Sequence, residues 1–240
     1  DDDKIDLTAM QEDLSSYKGK TSTSSPSPHE WENAFGDADV VFCITITSTL
    51  SGTYNSAVIA KDIYEQNHAG RKVYVLDSLS TGPEIALFIE KIAELIKAGF
   101  APDDIYKTLL EYKDKTHLYF SLASLNNFAK NGRISPVIAA GIGLLGVRVV
   151  GKASDEGTLL PLDKCRGEKR ALKKLIDHLK ECGYTDGKII IAHNNNEAGA
   201  LELKKLIENT FGIFNGKIQK TRALCSYYAE PGSLLIGFEA

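Results

Sequence analysis

Two runs of hydroxyl side chains stand out, residues 21–27 (TSTSSPS) and 47–53 (TSTLSGT), each just before a segment patterned as a helix. Hydroxyls beside the free backbone N–H groups of a helix N-terminus suit a carboxylate or a phosphate. Plain capping would need only one or two of them, so their density points to an anion site. A Ser-His-Asp hydrolase can also be assembled on paper from Ser48 or Ser51, Asp77 and His193, because triad members come in any chain order. No G-x-S-x-G elbow supports it, and His193 reads as the end of a strand beside an Asn194-Asn195-Asn196 helix cap. His29, His68, His117, His178 and His193 form no i,i+4 pair, so neither a metal nor any other cofactor is expected.

Two glycine motifs carry less. Gly141-Ile142-Gly143-Leu144-Leu145-Gly146 matches G-x-G-x-x-G but sits inside an apolar run, not between a strand and a helix. It reads as close packing or as lining for an apolar ligand. Gly19-Lys20-Thr21 ends like a phosphate loop, but Leu14 stands where the first glycine belongs.

The elements that must position these residues follow from periodicity. Ser27-Pro28-His29-Glu30 combines an N-cap serine, proline at N1 and glutamate at N3, opening a helix over Trp31 and Phe35. The β-branched run 40–46 predicts a buried strand that ends on the second hydroxyl cluster, after which Tyr54, Ala57, Val58 and Ile63 recur at helical spacing. The pattern repeats as a strand over 72–76, a turn over 77–82 and a helix over 83–97. Another helix starts near Pro102, where Asp103 and Asp104 suit the positive end of the dipole. Strand and helix in alternation imply a parallel sheet with ligands at the carboxyl ends of its strands, where both serine-rich turns lie.

From His117 the texture changes. A strand to Ala123, a short helix through Leu125 and Phe128, a Gly132-Arg133 turn and an apolar stretch over 136–145 precede two β-rich runs, 147–153 and 158–165, that read as a hairpin. A helix over 168–180, a strand over 188–192, a helix over 197–211 and strands near Ile218 and over 234–238 complete the chain. The expected fold class is α/β with two domains. Residues 1–115 form an amino-terminal parallel-sheet α/β/α domain carrying the hydroxyl turns. Residues 116–240 form a second, α+β domain with a mixed, largely antiparallel sheet that contributes an apolar pocket.

Composition narrows the partners. With 28 basic and 32 acidic residues the net charge of −4 leaves no electrostatic footprint for a polyanion, so nucleic acid is not expected. Cys43, Cys165, Cys182 and Cys225 include no Cys-x-x-Cys pair and read as four buried thiols in a reducing compartment. The longest apolar run, 137–147, is too short for a hydrocarbon core that needs about 20 residues, so no transmembrane segment is expected. No signal peptide and no Asn-x-Ser/Thr acceptor is seen, which makes the cytoplasm the expected location. The chain begins at Asp1 without a methionine, so further residues are expected to precede it.

Five motifs occur in order: Thr23-Ser24-Ser25-Pro26-Ser27-Pro28, Thr47-Ser48-Thr49-Leu50-Ser51-Gly52-Thr53-Tyr54-Asn55-Ser56-Ala57, Asp77-Ser78 with Gly82, Asn131-Gly132-Arg133-Ile134-Ser135 and Lys164-Cys165-Arg166. In these the sequence resembles the DegV family of bacterial fatty-acid-binding proteins, over nearly the whole chain. The resemblance implies a two-domain lipid-binding protein rather than an enzyme. It would hold one long-chain fatty acid, with the carboxylate near the interdomain cleft and the tail buried, and present it to a separate fatty acid kinase. The implied ligand-binding residues are Thr23 and Ser24, Ser48 or Ser51 with Gly52 and Thr53, Arg133 and Arg166 near the head group and the kinase-facing surface, and Tyr228.

The chain departs from the family in three places. The family's His-x-Gly-Pro-Gly is here Tyr228-Ala229-Glu230-Pro231-Gly232, and its Asn-Ile-Lys-Pro is Gly146-Val147-Arg148-Val149. The family's opening strand and its Asp-Ser turn are absent. A tyrosine hydroxyl donates to a carboxylate as imidazole does but never becomes cationic. If Glu230 faces the same cleft it adds a negative charge beside the expected anion. Binding is therefore expected to persist and kinase hand-off to suffer. The alternatives are a serine-dependent acyl hydrolase or transferase and a phosphosugar- or nucleotide-binding protein; no positioned base supports the first and no glycine-rich phosphate loop the second.

Overall fold

The computed structural model describes residues 4–17, 19, 21–135 and 146–240. The apolar run over 136–145 and the G-x-G-x-x-G match up to Leu145 lie outside the described residues, as do Lys18, Lys20 and residues 1–3. In chain order the elements are α1 (Leu7–Ser16), α2 (Pro28–Phe35), β1 (Val40–Thr45), α3 (Thr53–Asn67), β2 (Lys72–Asp77), α4 (Gly82–Lys97), α5 (Pro102–Lys113), β3 (Thr116–Leu122) and α6 (Asn126–Lys130). Then follow β4 (Val147–Ala153), β5 (Leu159–Arg166), α7 (Glu168–Glu181), β6 (Ile189–His193), α8 (Glu197–Phe211), β7 (Gly216–Lys220), α9 (Ala223–Ala229) and β8 (Leu234–Glu239).

The fold is the mixed α/β arrangement that the alternation predicts. β1 and β2 pair in parallel, from Val40 opposite Lys72 to Thr45 opposite Asp77. The second sheet has the order β5-β4-β3-β8-β6-β7; β6 and β7 run parallel and every other pair is antiparallel. The α2 cap forms as read, with Ser27 Oγ accepting from Glu30 N–H and the Glu30 carboxylate accepting from Ser27 N–H.

Four apolar layers hold the sheets in place. Phe35, Ala57, Ala60 and Tyr64 from α2 and α3 cover one face of β1 and β2. On the other face Leu87, Phe88, Ile92 and Leu95 of α4 pack with Leu76, Ile190 and α5, so α4 is the spacer between the two sheets. Its close approach to β8 requires glycine: a Cβ on Gly237 would meet the Glu84 nitrogen at 2.5 Å. Helices α7 and α8 cover the outer face of the second sheet through Leu172, Leu175, Leu203 and Ile207. The inner face carries Leu118, Phe120, Leu122, Val149 and Leu235.

The β4–β5 hairpin reaches back to the first sheet. Its turn closes through Ser154 N–H to Thr158 O at 2.8 Å, and its tip carbonyl at Glu156 accepts from Thr49 Oγ1 at 2.6 Å. Gly157, at φ +76°, sits so close that a Cβ would lie 2.1 Å from Thr47 Oγ1. The hairpin thus braces the second hydroxyl cluster from outside.

One expectation needs correcting. All four cysteines are free, but only Cys43 and Cys165 are fully buried; Cys182 and Cys225 are partly buried. Cys182 follows the last turn of α7 at a helix end, and Cys225 faces an internal cavity, so neither is enclosed by core on all sides.

Candidate functional site

A cavity of about 1080 Å³ lies between the two sheets, at the upper end of the roughly 300–1,000 Å³ usual for small-molecule sites. Three β3 residues, Leu118, Phe120 and Leu122, alternate onto its wall and span about 14 Å along the strand. Ile44 and Ile46 from β1 and the turn after it, Leu79 from the β2–α4 turn, and Leu159 and Leu235 from the second sheet complete the apolar interior.

The polar end is built from four segments. The residues before α2 supply Thr21, Ser22, Thr23, Ser24 and Ser25; the β1–α3 turn supplies Thr47, Ser51, Gly52 and Thr53; the segment after α6 supplies Arg133; and α9 supplies Tyr227 and Tyr228. Ser51 Oγ and Thr53 Oγ1 are 2.7 Å apart, at the start of α3, whose N-cap Gly52 has no side chain with which to cap. That leaves first-turn N–H groups for an outside acceptor.

Two hydroxyl pairs fasten the first segment to α9. Thr21 Oγ1 lies 2.8 Å from Tyr227 Oη, and Thr23 Oγ1 lies 3.0 Å from Tyr228 Oη. Asn131 Nδ2 donates to Tyr227 Oη at 2.9 Å, and Tyr228 packs on Phe128 with ring centroids 4.9 Å apart. Arg133 spans both sides, donating from Nε to Leu50 O at 3.4 Å and from Nη1 to Asn131 O.

The structure therefore brings together Thr23, Ser24, Ser51, Gly52, Thr53, Arg133 and Tyr228 around one cavity. Ser48 and Arg166 are not among the residues that line it. Ser48 N–H donates to the Asp77 carboxylate at 3.1 Å, tying this residue to the end of β2. Arg166 is exposed at the end of β5, opposite Val147. Arg148 is also committed elsewhere, to Glu168 at 3.0 Å and to Gly232 O at 2.6 Å, where it steadies the loop that follows α9.

Glu230 does not line the cavity. At φ +56° it turns away, and its Oε1 accepts from Ser124 Oγ at 2.9 Å and from Asn127 N–H at 3.1 Å, capping α6 from a distant part of the chain. The condition under which it would repel a bound anion is therefore not met.

The paper triad is not assembled. Asp77 is occupied by the Ser48 and Leu79 N–H groups, the latter at 3.1 Å, while His193 Nδ1 faces the Asn196 N–H at 3.3 Å. Burial also lowers the His193 pKa. Among the described residues lining the cavity there is no Asp, Glu, Lys or His; the charged ones are Arg133 and Arg222. Burial pushes the thiol of Cys225, beside Thr81 Oγ1 at 3.6 Å, above its ordinary value, which makes it a poor nucleophile. The arrangement can hold an elongated apolar molecule with one anionic end.

Sequence reasoning did not single out Tyr227, Asn131, Trp31 or the α1 residues Met10 and Leu14, all of which line the cavity or hold its rim. For Tyr227 a signal existed in its position next to Tyr228. For α1 the signal was the Met10-to-Leu14 spacing, which places both on one helix face.

Fold and site together define a two-sheet α/β protein with a largely apolar cavity between the sheets and a hydroxyl-rich, arginine-bearing rim. The family model described as "Uncharacterised protein, DegV family" matches residues 1–240. The chain belongs to the DegV family.

A DegV domain-containing protein of Streptococcus pneumoniae is 42% identical over 239 residues, covering 100% of this chain and 85% of that protein. Among solved structures, a DegV family protein from Eubacterium eligens loaded with heptadecanoic acid has a TM-score of 0.98 and 41% identity, covering 100% of this chain and 87% of that one. The fatty acid kinase (Fak) B3 protein of Streptococcus pneumoniae, loaded with linoleic acid, has a TM-score of 0.97 and 42% identity, with 100% and 85% covered. No helix among the described residues is long and apolar enough to cross a membrane.

Proposed function

We propose that this protein binds one long-chain fatty acid, with the carboxylate at the hydroxyl rim and the acyl chain in the cavity between the sheets. The observation that carries the reading is the composition of the lining: apolar along its length, hydroxyl-rich at one end, with two arginines and no acidic side chain among the described residues. Burying the chain contributes about 0.8 kcal/mol per CH₂. The carboxylate replaces water at Thr23, Ser51, Thr53 and Tyr228 and at the first turn of α3, with Ser24 and Gly52 beside them and Arg133 supplying charge. In each hydroxyl pair, Thr23 with Tyr228 and Ser51 with Thr53, one hydroxyl donates to its neighbour and the other, accepting that bond, keeps its single proton for the ligand. The heptadecanoic acid and linoleic acid held by the two similar structures support this reading.

In its finer form the proposal has residues 1–115 carry the head-group turns as one domain and residues 116–240 contribute to the acyl pocket as a second, with apolar wall from both. The protein works in the cytoplasm and offers the carboxylate to a separate fatty acid kinase, with exposed Arg166 available to that partner rather than to the ligand. Titration with a fluorescent long-chain fatty acid tests the binding. Saturation at about one ligand per chain, weakened by Arg133→Ala, is expected. No saturable uptake would overturn the reading.

A further inference from the structure

Helix α1 contributes Met10 and Leu14 to the cavity wall, and Ile5 just before it adds a third apolar side chain. No residue of α1 is buried, unlike those of the other long helices. Its apolar face therefore rests on the cavity itself rather than on a core layer. Asp6 caps its first turn by accepting from Thr8 and Ala9 N–H, so the helix is locally self-sufficient.

Among the described residues, the hydrogen bonds that tie α1 to the body of the protein come from Gln11 alone. Its Nε2 donates to Asn194 Oδ1 at 2.5 Å, and its Oε1 accepts from Asn195 Nδ2. The receiving side is rigid. Asn194 is 1% exposed, its Nδ2 donates to Ser226 O of α9 at 2.9 Å, and its backbone pairs with Gly232 and Ser233. Asn195 is held at φ +48°, a left-handed conformation that asparagine tolerates, with its amide on Gln11.

We infer that α1 is the door of the cavity and that the Gln11, Asn194 and Asn195 amides are its latch. The inference rests on the fatty-acid reading above and specifies the route by which that ligand enters and leaves. A door held by neutral hydrogen bonds and by contacts with the cavity's contents opens readily when the cavity is empty. A bound acyl chain adds apolar contact to Ile5, Met10 and Leu14 and favours the closed state, because a ligand shifts the equilibrium toward the conformation it touches more. The Asn194 link to α9 puts the latch on the same helix that carries Tyr227 and Tyr228, so door and head-group site share one support.

The test is the exchange rate of a preloaded fluorescent long-chain fatty acid against unlabelled competitor. Gln11→Ala is expected to speed release about tenfold, the effect of losing one to two neutral hydrogen bonds. Its ligand-free unfolding midpoint stays that of wild type, because α1 holds no core residue. In the opposite direction, Gln11→Cys with Asn195→Cys, joined by a reducible thiol cross-linker, is expected to slow uptake and release at least tenfold, with recovery on reduction. Wild type treated with the same reagent controls for the native thiols. Saturable binding with unchanged rates in both variants would overturn the door and leave the fatty-acid reading intact. No binding by any form would overturn both.

Discussion

The hydroxyls of Thr23 and Tyr228 lie 3.0 Å apart although 205 positions separate the two residues. The pair joins the segment before α2 to α9 across the mouth of the cavity and, with one proton held between the two oxygens, preorganises the other for an anion. Thr23→Val is expected to weaken fatty acid binding tenfold or more, a hydrogen bond to a charged acceptor being worth about 1.5–3 kcal/mol. Tyr228→Phe should do the same. In the double variant the losses should fall short of additive, as residues in one network couple. Isothermal titration of the four proteins reads the cycle.

Ser51 and Ser48 separate cleanly. Ser51→Ala removes a hydroxyl at the cavity rim and should lower affinity about tenfold or more by the same hydrogen-bond range. Ser48→Ala should leave it unchanged, because the Ser48 contact to Asp77 is made by backbone N–H. Equal losses in both would place the carboxylate within reach of Ser48 as well.

Leu118 lines the cavity near the start of β3, at the opposite end of the strand from α6 with its Phe128. Leu118→Trp should exclude several methylenes, costing about 0.8 kcal/mol for each. Competition between long and medium acyl chains should therefore shift toward the shorter one in the variant, and an unchanged preference would mean that the chain runs in another direction.

Glu230 is a structural cap in this chain. Glu230→Ala should destabilise the protein by about 1–2 kcal/mol, the range of a lost helix cap. Glu230→Gly should cost less, since glycine relieves the +56° φ. Fatty acid affinity should follow neither change. Thermal unfolding alongside a binding titration checks both halves.

Buried Glu84 gives a pH signature. Burial raises its pKa above 4.5, against the hydrogen bond from Thr116 Oγ1 at 2.8 Å and the charge of Lys113. A carboxyl raised on folding contributes its stability in full below its unfolded pKa and loses it as pH rises through the folded value. Glu84→Gln should therefore raise the unfolding midpoint at neutral pH, with the gain vanishing below pH 4.5.

Much of this fold is legible locally. The Ser27-to-Glu30 cap, the β-branched run into Thr45 and the Ser154-to-Gly157 turn each state their structure in a few adjacent residues. Helix α9 escaped that reading because Arg222 offers no side-chain cap and its paired tyrosines favour strand. Helix α1 escaped although Leu7, Met10 and Leu14 recur at helical spacing, because that stripe is short and stands beside the hydroxyl run that drew the reading. The site residues were legible as chemistry, hydroxyls at helix starts, but not as geometry. Nothing near Ser48 announces that Ser51 lines the cavity and Ser48 does not, and Glu230 finds partners 106 and 103 positions away. Such contacts are set by how the two sheets pack, which no local window contains.

The most direct measurement is native mass spectrometry of the purified protein, followed by denaturation and identification of any released lipid. The account predicts a complex of one chain with one long-chain fatty acid, the added mass lost on unfolding and diminished in Thr23→Val and Arg133→Ala. A chain that emerges without lipid and takes up none when offered it, or one that carries a phosphorylated sugar or nucleotide instead, would contradict it.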